Sequence, residues 1–348
     1  MQLIIKQFFI IIIFSVFLIL PSSLLSNTTV CKDNGIITLM YHRFEENKYP
    51  STNIKIKDFQ EHIRLISKKN ISYINPNDFK KELKFNKKNK KVLMTIDDAF
   101  LSFYENAWPI LKKNKIPFIL FVSTKEVGNY NYMNWEQIQE IAKENFVHIG
   151  NHSHTHEYLI DKTEEEIVRD IEKSISILKK KVGYNSEFFS YPFGEYSLNF
   201  KSIIKNLGFK FAFGQHSGVA DETKDMLELP RFPINEKYGE PKRFDTLLNT
   251  IPFKYKSITP LEKYINNSTN PPQIQIEFFK TDNLEQLNCY SNEENVWRKS
   301  EIKFINDLKL QIILKGKFTT ERGRINCSLR SRDGEWKWLG MQFVVAEK

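Results

Sequence analysis

Three of the seven histidines in the chain lie within residues 152–156, directly after an apolar stretch that predicts a strand. His152 and His156 are four positions apart, so one helical turn would place both imidazoles on the same side, within reach of one ion. His154 lies between them and is expected to point away. Two imidazoles and one carboxylate leave a coordination position open for water, as a catalytic metal requires. The alternative is a polar loop in which the histidines are incidental.

A pair of adjacent acids, Asp97 and Asp98, ends a second apolar stretch at residues 92–96. Neighbouring strand residues point to opposite faces, so one carboxylate can bind a metal while the other handles protons. The alternative is that these acids cap the helix that follows. If both apolar stretches are parallel strands, the acids and the histidines lie at the carboxyl ends of strands, where the active sites of parallel α/β folds assemble.

Two later strand ends and a nearby arginine carry further candidates. Tyr191, Pro192 and Phe193 follow a third strand and could form a substrate-binding wall of the site, or only a turn. His216 follows a fourth strand and is a candidate proton donor, with a purely structural role as the alternative. Arg231 is a candidate to pair with an active-site acid, and we group it with the substrate-binding residues.

These candidates lie in a region where short apolar stretches alternate with amphipathic ones. The apolar stretches, each expected to be a strand, are residues 36–41, 92–96, 118–122, 146–149, 188–191 and 209–213. Helices are predicted at residues 58–69, 100–113 and 163–181, and the last has a capping box, Thr163 with Glu166, at its start. The alternation favours parallel strands with helical crossovers, closed as a barrel or open as a sheet.

The pattern changes after about residue 258, where helical periodicity stops. The β-rich segments 273–279, 309–314, 324–330 and 341–345 predict a small antiparallel sheet or sandwich. With residues 266–272 as the linker, we expect a catalytic domain at residues 30–258 and an all-β accessory domain at residues 271–348. Trp336 and Trp338 project from one face of a strand, either to stack on sugars or to fill the sandwich core.

The first 26 residues predict export, because Lys6 precedes an apolar run at residues 8–20 and small residues follow it. We expect a signal peptide, with an uncleaved N-terminal anchor as the alternative, and a periplasmic, extracellular or membrane-anchored protein. Cys289 and Cys327 would then form a disulfide or remain two buried thiols. The net charge of +9 comes from scattered lysines without a nucleic-acid motif, so nucleic-acid binding is not expected.

The motifs resemble those of the NodB-homology polysaccharide deacetylases, carbohydrate esterase family 4, over roughly residues 36–234. Residues 95–98 (Thr-Ile-Asp-Asp) are similar to the family's Thr-Phe-Asp-Asp motif, and residues 152–156 to its His-Ser/Thr-x-x-His motif. Residues 39–42 (Leu-Met-Tyr-His) and 191–194 (Tyr-Pro-Phe-Gly) resemble the first and third motifs of the family's poly-N-acetylglucosamine deacetylases. The resemblance implies a distorted (β/α)-barrel that removes N-acetyl groups from a polysaccharide.

The resemblance also implies a role for each matched residue, with Asp97 as the general base and Asp98, His152 and His156 as the metal ligands. The expected metal is Zn²⁺, with Co²⁺, Ni²⁺ and Fe²⁺ left open. The expected substrate is an N-acetylglucosamine-type polysaccharide. A monomer is expected, with membrane contact only through an uncleaved N-terminal segment.

The sequence departs from the family pattern in two places. Ser190 stands where many members carry an arginine that steadies the base, and we hypothesise that Arg231 replaces that arginine. The family's late Leu-x-x-His motif has only an imperfect counterpart ending at His216, so the proton donor stays open. Two other functions are therefore kept: a non-catalytic glycan-binding protein on the same fold, and a hydrolase of another non-peptide C–N amide bond.

Overall fold

The computed structural model describes residues 34–85, 89–280 and 283–346. The predicted signal peptide or anchor at residues 1–26 lies outside these ranges, as does Cys31. Residues 32–348 form one compact unit. Among the described residues, no helix has both the length and the apolar character that a membrane span requires.

The first part of the described chain alternates strands and helices, as the sequence predicts. In chain order the elements are β1 (Ile36–Tyr41), β2 (Arg43–Phe44), β3 (Asn53–Ile54), α1 (Ile56–Lys68), β4 (Ser72–Tyr73), α2 (Phe79–Phe85), β5 (Lys91–Ile96), α3 (Trp108–Asn114), β6 (Phe118–Val122), α4 (Trp135–Ala142), β7 (Val147–Asn151), α5 (Glu164–Val182), β8 (Phe188–Ser190), α6 (Leu198–Asn206), β9 (Phe211–Phe213), β10 (Val219–Ala220), β11 (Phe232–Pro233) and α7 (Pro241–Leu248). All six predicted strands of this region are present, with small differences in their bounds.

Two of the predicted helices show how local sequence sets the ends and the regularity of a helix. Helix α5 begins with the predicted capping box at Thr163 and Glu166, and Gly183 ends it with a φ of 90°. The helix predicted at residues 100–113 is not continuous, because a π-type turn at Phe103–Ala107 precedes α3. Pro109 has no N–H to donate to the preceding turn, which accounts for the interruption.

A curled sheet forms the centre of this part, and its strands β1, β5, β6, β7, β8 and β9 are parallel neighbours in that order. These strands are buried and apolar almost throughout, as expected for parallel strands that are covered on both faces. Their carboxyl ends lie along one rim. The architecture is the (β/α)-barrel type that the sequence predicts.

The two edges of the curled sheet are connected by the segment at residues 226–233, which we call the seam. At one end of the seam, Leu229 pairs in parallel with Phe213 of β9, and its N–H donates to the carbonyl of Ala212. At the other end, β11 pairs in parallel with β1. Arg231 therefore lies between the first and the last strand of the sheet, close to the carboxyl ends of both.

The second part of the chain is all-β, but it begins earlier than the sequence predicts, because its first three strands lie at residues 250–265, before the predicted linker at residues 266–272. In chain order its strands are β12 (Thr250–Ile251), β13 (Ser257–Thr259), β14 (Tyr264–Ile265), β15 (Ile274–Glu277), β16 (Asn288–Ser291), β17 (Arg298–Lys299), β18 (Glu301–Asn306), β19 (Lys309–Ile313), β20 (Arg322–Arg330) and β21 (Trp336–Val345). One sheet, here called the C-terminal sheet, has the order β12-β21-β20-β16-β17, with β14 also paired to β21. A second sheet has the order β13-β15-β19-β18, and the two share one apolar core.

The C-terminal sheet packs along the barrel. Trp338 lies against Phe232 of the seam, with ring centroids 5.6 Å apart, and the guanidinium carbon of Arg243 is 5.5 Å from its ring. Of the two roles considered for Trp338, the structure favours packing over contact with sugars. Further along β21, the Gly340 N–H donates to the Ser217 carbonyl at 2.6 Å.

A disulfide joins Cys289 and Cys327, which face each other directly on β16 and β20. Both cysteines are buried in the core that the two sheets share. The bridge closes a loop across a sequence separation of 38 residues. It thereby limits the freedom of the unfolded chain within the C-terminal region.

Replacing both cysteines with serine is expected to lower the free energy of unfolding by about 4 kcal/mol, the loop-closure entropy for a loop of this size. Chemical denaturation of the double variant, compared with the oxidised and reduced parent protein, measures the difference. Reductant should destabilise the parent and leave the variant unchanged. Equal stability of the oxidised and the reduced parent would contradict the prediction.

Candidate active site

The carboxylate of Asp98 and the rings of His152 and His156 meet at the rim of the curled sheet. Oδ1 of Asp98 is 3.3 Å from Nε2 of His152 and 3.2 Å from Nε2 of His156. One ligand atom from each residue lies within 4.8 Å of the other two. Asp98 follows β5 and the histidines follow β7, so two separate strands bring the three side chains together.

The three side chains fit a divalent metal ion both in chemistry and in spacing. Two donors about 2.1 Å from one ion, at a tetrahedral angle, lie about 3.4 Å from each other, close to the distances observed here. Nδ1 of His152 lies 2.7 Å from the carbonyl oxygen of Ser190, to which it donates. The hydrogen bond leaves the lone pair of Nε2 directed toward Asp98, an orientation typical of metal-binding histidines. His154 is turned away, with Nδ1 2.8 Å from Oγ1 of Thr124.

The backbone around these side chains adopts unusual conformations. Asp98, Ser153 and His156 have φ values of 73°, 68° and 53°, in the left-handed region that residues other than glycine rarely occupy. Such conformations cost free energy and persist where the surrounding structure imposes them, often at functional sites. Hydrogen bonds hold the histidine segment, since Oγ of Ser153 accepts from the backbone N–H of His156 at 3.0 Å.

Asp97 points into the barrel interior, where Arg231 binds it with two hydrogen bonds. Nη1 of Arg231 donates to Oδ1 at 2.7 Å, and Nη2 donates to Oδ2 at 2.9 Å. The Ser190 hydroxyl donates to Oδ2 at 3.2 Å and accepts from Nη2 of Arg231 at 2.9 Å. Both Asp97 and Arg231 are fully buried. The seam thus supplies an arginine partner for Asp97, as the hypothesis about Arg231 requires.

Electrostatics keep Asp97 ionised despite its burial. Burial alone would raise the pKa of the Asp97 carboxyl, but the charges of Arg231, and then of His152 and His42, hold this pKa below its usual range. Burial likewise favours the neutral form of Asp98, and the two histidines outweigh it, so the Asp98 pKa is also lowered. Two adjacent carboxylates therefore stay charged in separate environments, one facing the arginine and the other facing the histidines.

His42 also lies in the site. The sequence places it only within the motif at residues 39–42 and indicates no role for it. It directly follows β1, whose last residue Tyr41 pairs with Ile96 of β5, so His42 lies beside Asp97. Nε2 of His42 is 4.0 Å from Oδ2 of Asp97. Burial lowers the pKa of His42, while Asp97 and Asp98 favour its protonated form. The strand-end rule that selected Asp97 would have selected His42 as well.

His216, the predicted proton donor, lies beside the seam, where its carbonyl accepts from the N–H of Arg231 at 3.0 Å. Its charged neighbours include Lys263, Arg231 and Lys201. Burial, reinforced by these cations, lowers the pKa of His216 to about 3, and the ring is neutral at physiological pH. Within the described residues, no contact joins His216 to Asp97, Asp98 or the metal-binding histidines.

The residues predicted to bind substrate occupy different depths. Tyr191 is fully buried, its hydroxyl donates to the Leu227 carbonyl at 2.9 Å, and its N–H donates to the Phe213 carbonyl. Pro192 is buried too. Arg231 is fully buried and binds Asp97, so any effect of Arg231 on a substrate is indirect. These three assignments to substrate contact therefore do not fit the structure.

Phe193 is the one predicted wall residue that reaches the mouth of the site. Its ring lies edge-on to that of His156, with centroids 4.6 Å apart, and stacks on the ring of Tyr158 at 4.4 Å. The φ of Phe193 is 58°, which turns the side chain outward from the buried residues on either side. The aromatic pair therefore borders the Asp–His–His cluster.

Comparisons with known proteins agree with this geometry. The family described as polysaccharide deacetylase matches residues 84–212, which include both acids and all three clustered histidines. A poly-beta-1,6-N-acetyl-D-glucosamine N-deacetylase of Staphylococcus aureus strain MSSA476 is 27% identical over 281 residues, covering 68% of this chain and 96% of the relative. The corresponding protein of strain MRSA252 is 26% identical over 280 residues.

Solved structures share the fold. The deacetylase PplD of Streptococcus pyogenes, solved with acetate, superposes with a TM-score of 0.57 at 22% identity, over 62% of this chain and 99% of that one. IcaB of Ammonifex degensii gives a TM-score of 0.56 at 24% identity, over 62% of this chain and 98% of that one. Residues 84–212 of the chain therefore match the polysaccharide deacetylase family, and the solved deacetylases share the fold of this part of the chain.

Proposed function

We propose that this protein hydrolyses N-acetyl groups from a polymer of N-acetylglucosamine, with a divalent metal held by Asp98, His152 and His156. The observation that carries the proposal is the position of Asp97. A buried, ionised carboxylate with a bidentate arginine partner lies directly beside an Asp–His–His cluster that fits a metal. A glycan-binding protein needs no base, whereas an amide hydrolase does.

Each residue of the proposed active site has a separate role in amide hydrolysis. A divalent ion, Zn²⁺ being the first expectation, would supply Lewis acidity at the amide carbonyl and make water more acidic. Asp97 accepts the proton of the attacking water at its carboxylate, which Arg231 and Ser190 hold in a fixed orientation. His42, once protonated, delivers a proton from Nε2 to the departing amine nitrogen, and the charges of Asp97 and Asp98 favour that protonated form against the effect of burial. The products are acetate and a free amino sugar.

The polymer is proposed from the Staphylococcus aureus relative, whose name specifies a poly-beta-1,6-linked N-acetylglucosamine. Export fits a substrate of this kind, and the apolar run at residues 8–20 together with the disulfide supports an oxidising compartment. We assign catalysis to residues 30–258 and an accessory role to residues 271–348, in a monomeric protein that residues 1–26 direct to export or anchor.

Acetate release from β-1,6-linked N-acetylglucosamine oligomers tests the proposed function. The protein with added Zn²⁺ should release acetate, a strong chelator should stop the release, and Zn²⁺, Co²⁺ or Ni²⁺ should restore it. Chitin oligomers of equal length test the linkage. A protein that is fully folded and metal-loaded, yet releases no acetate from either oligomer, would contradict the proposal.

Replacing His42 with glutamine is expected to lower kcat by about 100- to 10,000-fold with little change in KM, because only proton transfer is lost. His216→Gln is the matched control, since it removes a histidine of the same rim that contacts none of the reacting groups. Its kcat should remain near that of the parent. Metal content after gel filtration should be unchanged in both variants. A large kcat effect at His216 with none at His42 would reverse the assignment.

A further inference from the structure

The C-terminal sheet meets the active-site loop directly. The side-chain amide of Gln342 on β21 donates to the carbonyls of Phe193 and Gly194, at 3.1 and 3.2 Å. Nε of Arg322 on β20 donates to Oε1 of Glu195 at 2.6 Å, and that glutamate is 2% exposed. One end of the C-terminal sheet is therefore fixed to the loop whose Phe193 borders the metal cluster.

At the point of contact the two parts of the protein build one surface. The guanidinium carbon of Arg322 is 5.0 Å from the ring centroid of Phe193 and 5.9 Å from that of Tyr158. Tyr158 is 38% exposed. An arginine of the C-terminal sheet thus extends the aromatic pair at the mouth, next to His156.

The register of the strands shows how this surface continues away from the mouth of the site. Gln342 pairs with Arg324, and both point outward because their neighbours Met341 and Ile325 lie in the core. On the same outer face of the next strands, Tyr290 of β16 pairs with Lys299 of β17. The four strands from β21 to β17 span about 14 Å at about 4.8 Å per spacing.

Two exposed aromatic side chains lie at the far end of this surface. Tyr290 is 45% exposed, and Trp297, two positions before Lys299, is 48% exposed. Trp297 directly precedes β17, and an extended backbone there would place its side chain on the same face as Lys299 and Tyr290. The rings of Tyr290 and Trp297 thus leave apolar surface exposed at this end of the sheet. We call Tyr290, Trp297, Arg322 and Arg324 the sheet platform.

We propose that the sheet platform is part of the substrate cleft and binds sugar units that flank the acetylated unit at the metal site. This inference rests on the proposed function. A polymer held at the metal site must leave it along the rim, and the sheet platform is continuous with the rim at Phe193. The aromatic rings offer apolar faces to pyranose rings, and the arginines offer hydrogen-bond donors to hydroxyl and acetyl oxygens.

The charge of the sheet platform adds a preference. Arg324, together with Lys299 opposite Tyr290, repels the cationic amino sugars that the reaction produces, whereas acetylated units are neutral. Arg322 adds little to this charge because Glu195 pairs with it. The sheet platform therefore selects stretches of polymer that still carry their acetyl groups.

The inference is tested by the dependence of kinetics on substrate length. In the parent protein, KM should fall markedly from a short oligomer, such as a dimer, to a long one, such as a hexamer. Trp297→Ala should raise KM for the hexamer about fivefold, the loss expected for one aromatic contact, and leave kcat and the dimer unaffected. Phe279→Ala is the matched control, because Phe279 is 53% exposed and lies outside the sheet platform.

The outcomes separate this inference from the proposed function. If a Trp297→Ala variant melts normally and its KM for the hexamer is unchanged, the sheet platform does not bind substrate. The proposed deacetylation is unaffected by that result. If Trp297→Ala melts early, Tyr290→Ala takes its place in the same comparison, with the same two outcomes. Absence of acetate release by the metal-loaded parent protein, at every length, overturns the proposed function itself.

Discussion

Replacing Asp98 with asparagine, or His156 with alanine, is expected to abolish tight metal binding and acetate release together. Each substitution removes one of three protein ligands, and the asparagine also removes the negative charge that offsets the ion. The loss follows from the geometry, because the oxygen of Asp98 is the atom that lies within 3.3 Å of both imidazole nitrogens. Metal content after desalting and the rise in melting temperature on adding Zn²⁺ measure the loss without relying on activity.

His154→Ala is the control for the metal-ligand variants. The substitution removes a histidine two positions from both ligands, but one whose ring bonds with Thr124 outside the cluster. This variant should keep the metal content and the Zn²⁺-dependent rise in melting temperature. If His156→Ala retained full metal content while His154→Ala lost it, the ligand assignment would be wrong.

Replacing Arg231 with methionine should also have a large effect. We expect it to reduce both the free energy of unfolding and the turnover rate. Methionine fills much of the same volume but leaves the Asp97 carboxylate buried without its ionic partner. Breaking one half of a buried pair costs about 3–5 kcal/mol, because the remaining charge is uncompensated. Turnover should fall strongly as well, since the base loses both its orientation and the charge that keeps it ionised.

A double-variant cycle separates the two effects of Arg231. Asp97→Asn combined with Arg231→Met should recover much of the lost stability, because no buried charge remains, and should recover no activity. Chemical denaturation and acetate release measure the two quantities. Arg243→Met is the control and should cost far less, since Arg243 packs on Tyr238 and Trp338 and has no acidic partner among the residues that the structure describes. A single Arg231→Met variant as stable as the parent would contradict the argument.

Residues close in sequence were the most predictable part of the site. His152 and His156 are close together in the chain, and so are Asp97 and Asp98. Each pair lies at the end of a single strand, where the periodicity of the sequence predicts the direction of the side chains. The structure brings both motifs together as the parallel-sheet argument requires, because β5 and β7 end at the same rim. The alternating apolar stretches indicated the strands for the same local reason.

Long-range contacts were harder to predict. The Asp97–Arg231 pair joins residues 134 positions apart, and no local period specifies such a contact. The only sequence signal for this pair was Ser190, which stands where many members of the family carry an arginine. Strand position alone did not choose between two candidate proton donors, because His216 and His42 each follow a strand, and only the structure places His42 beside Asp97. Tyr191 lies in a motif but is buried, and motif membership does not give exposure.

The seam makes the assembly of the base dependent on the whole barrel. Asp98, His152 and His156 follow β5 and β7, and Ser190 of β8 orients the ring of His152. Arg231, by contrast, reaches Asp97 only where the chain after β9 returns to β1. A barrel that is folded only up to β9 would contain a finished metal site and an unsupported carboxylate. A protein opened only at the seam would therefore be expected to keep the Asp–His–His cluster and to lose the partner of Asp97, so metal content alone would not measure the fraction of active molecules.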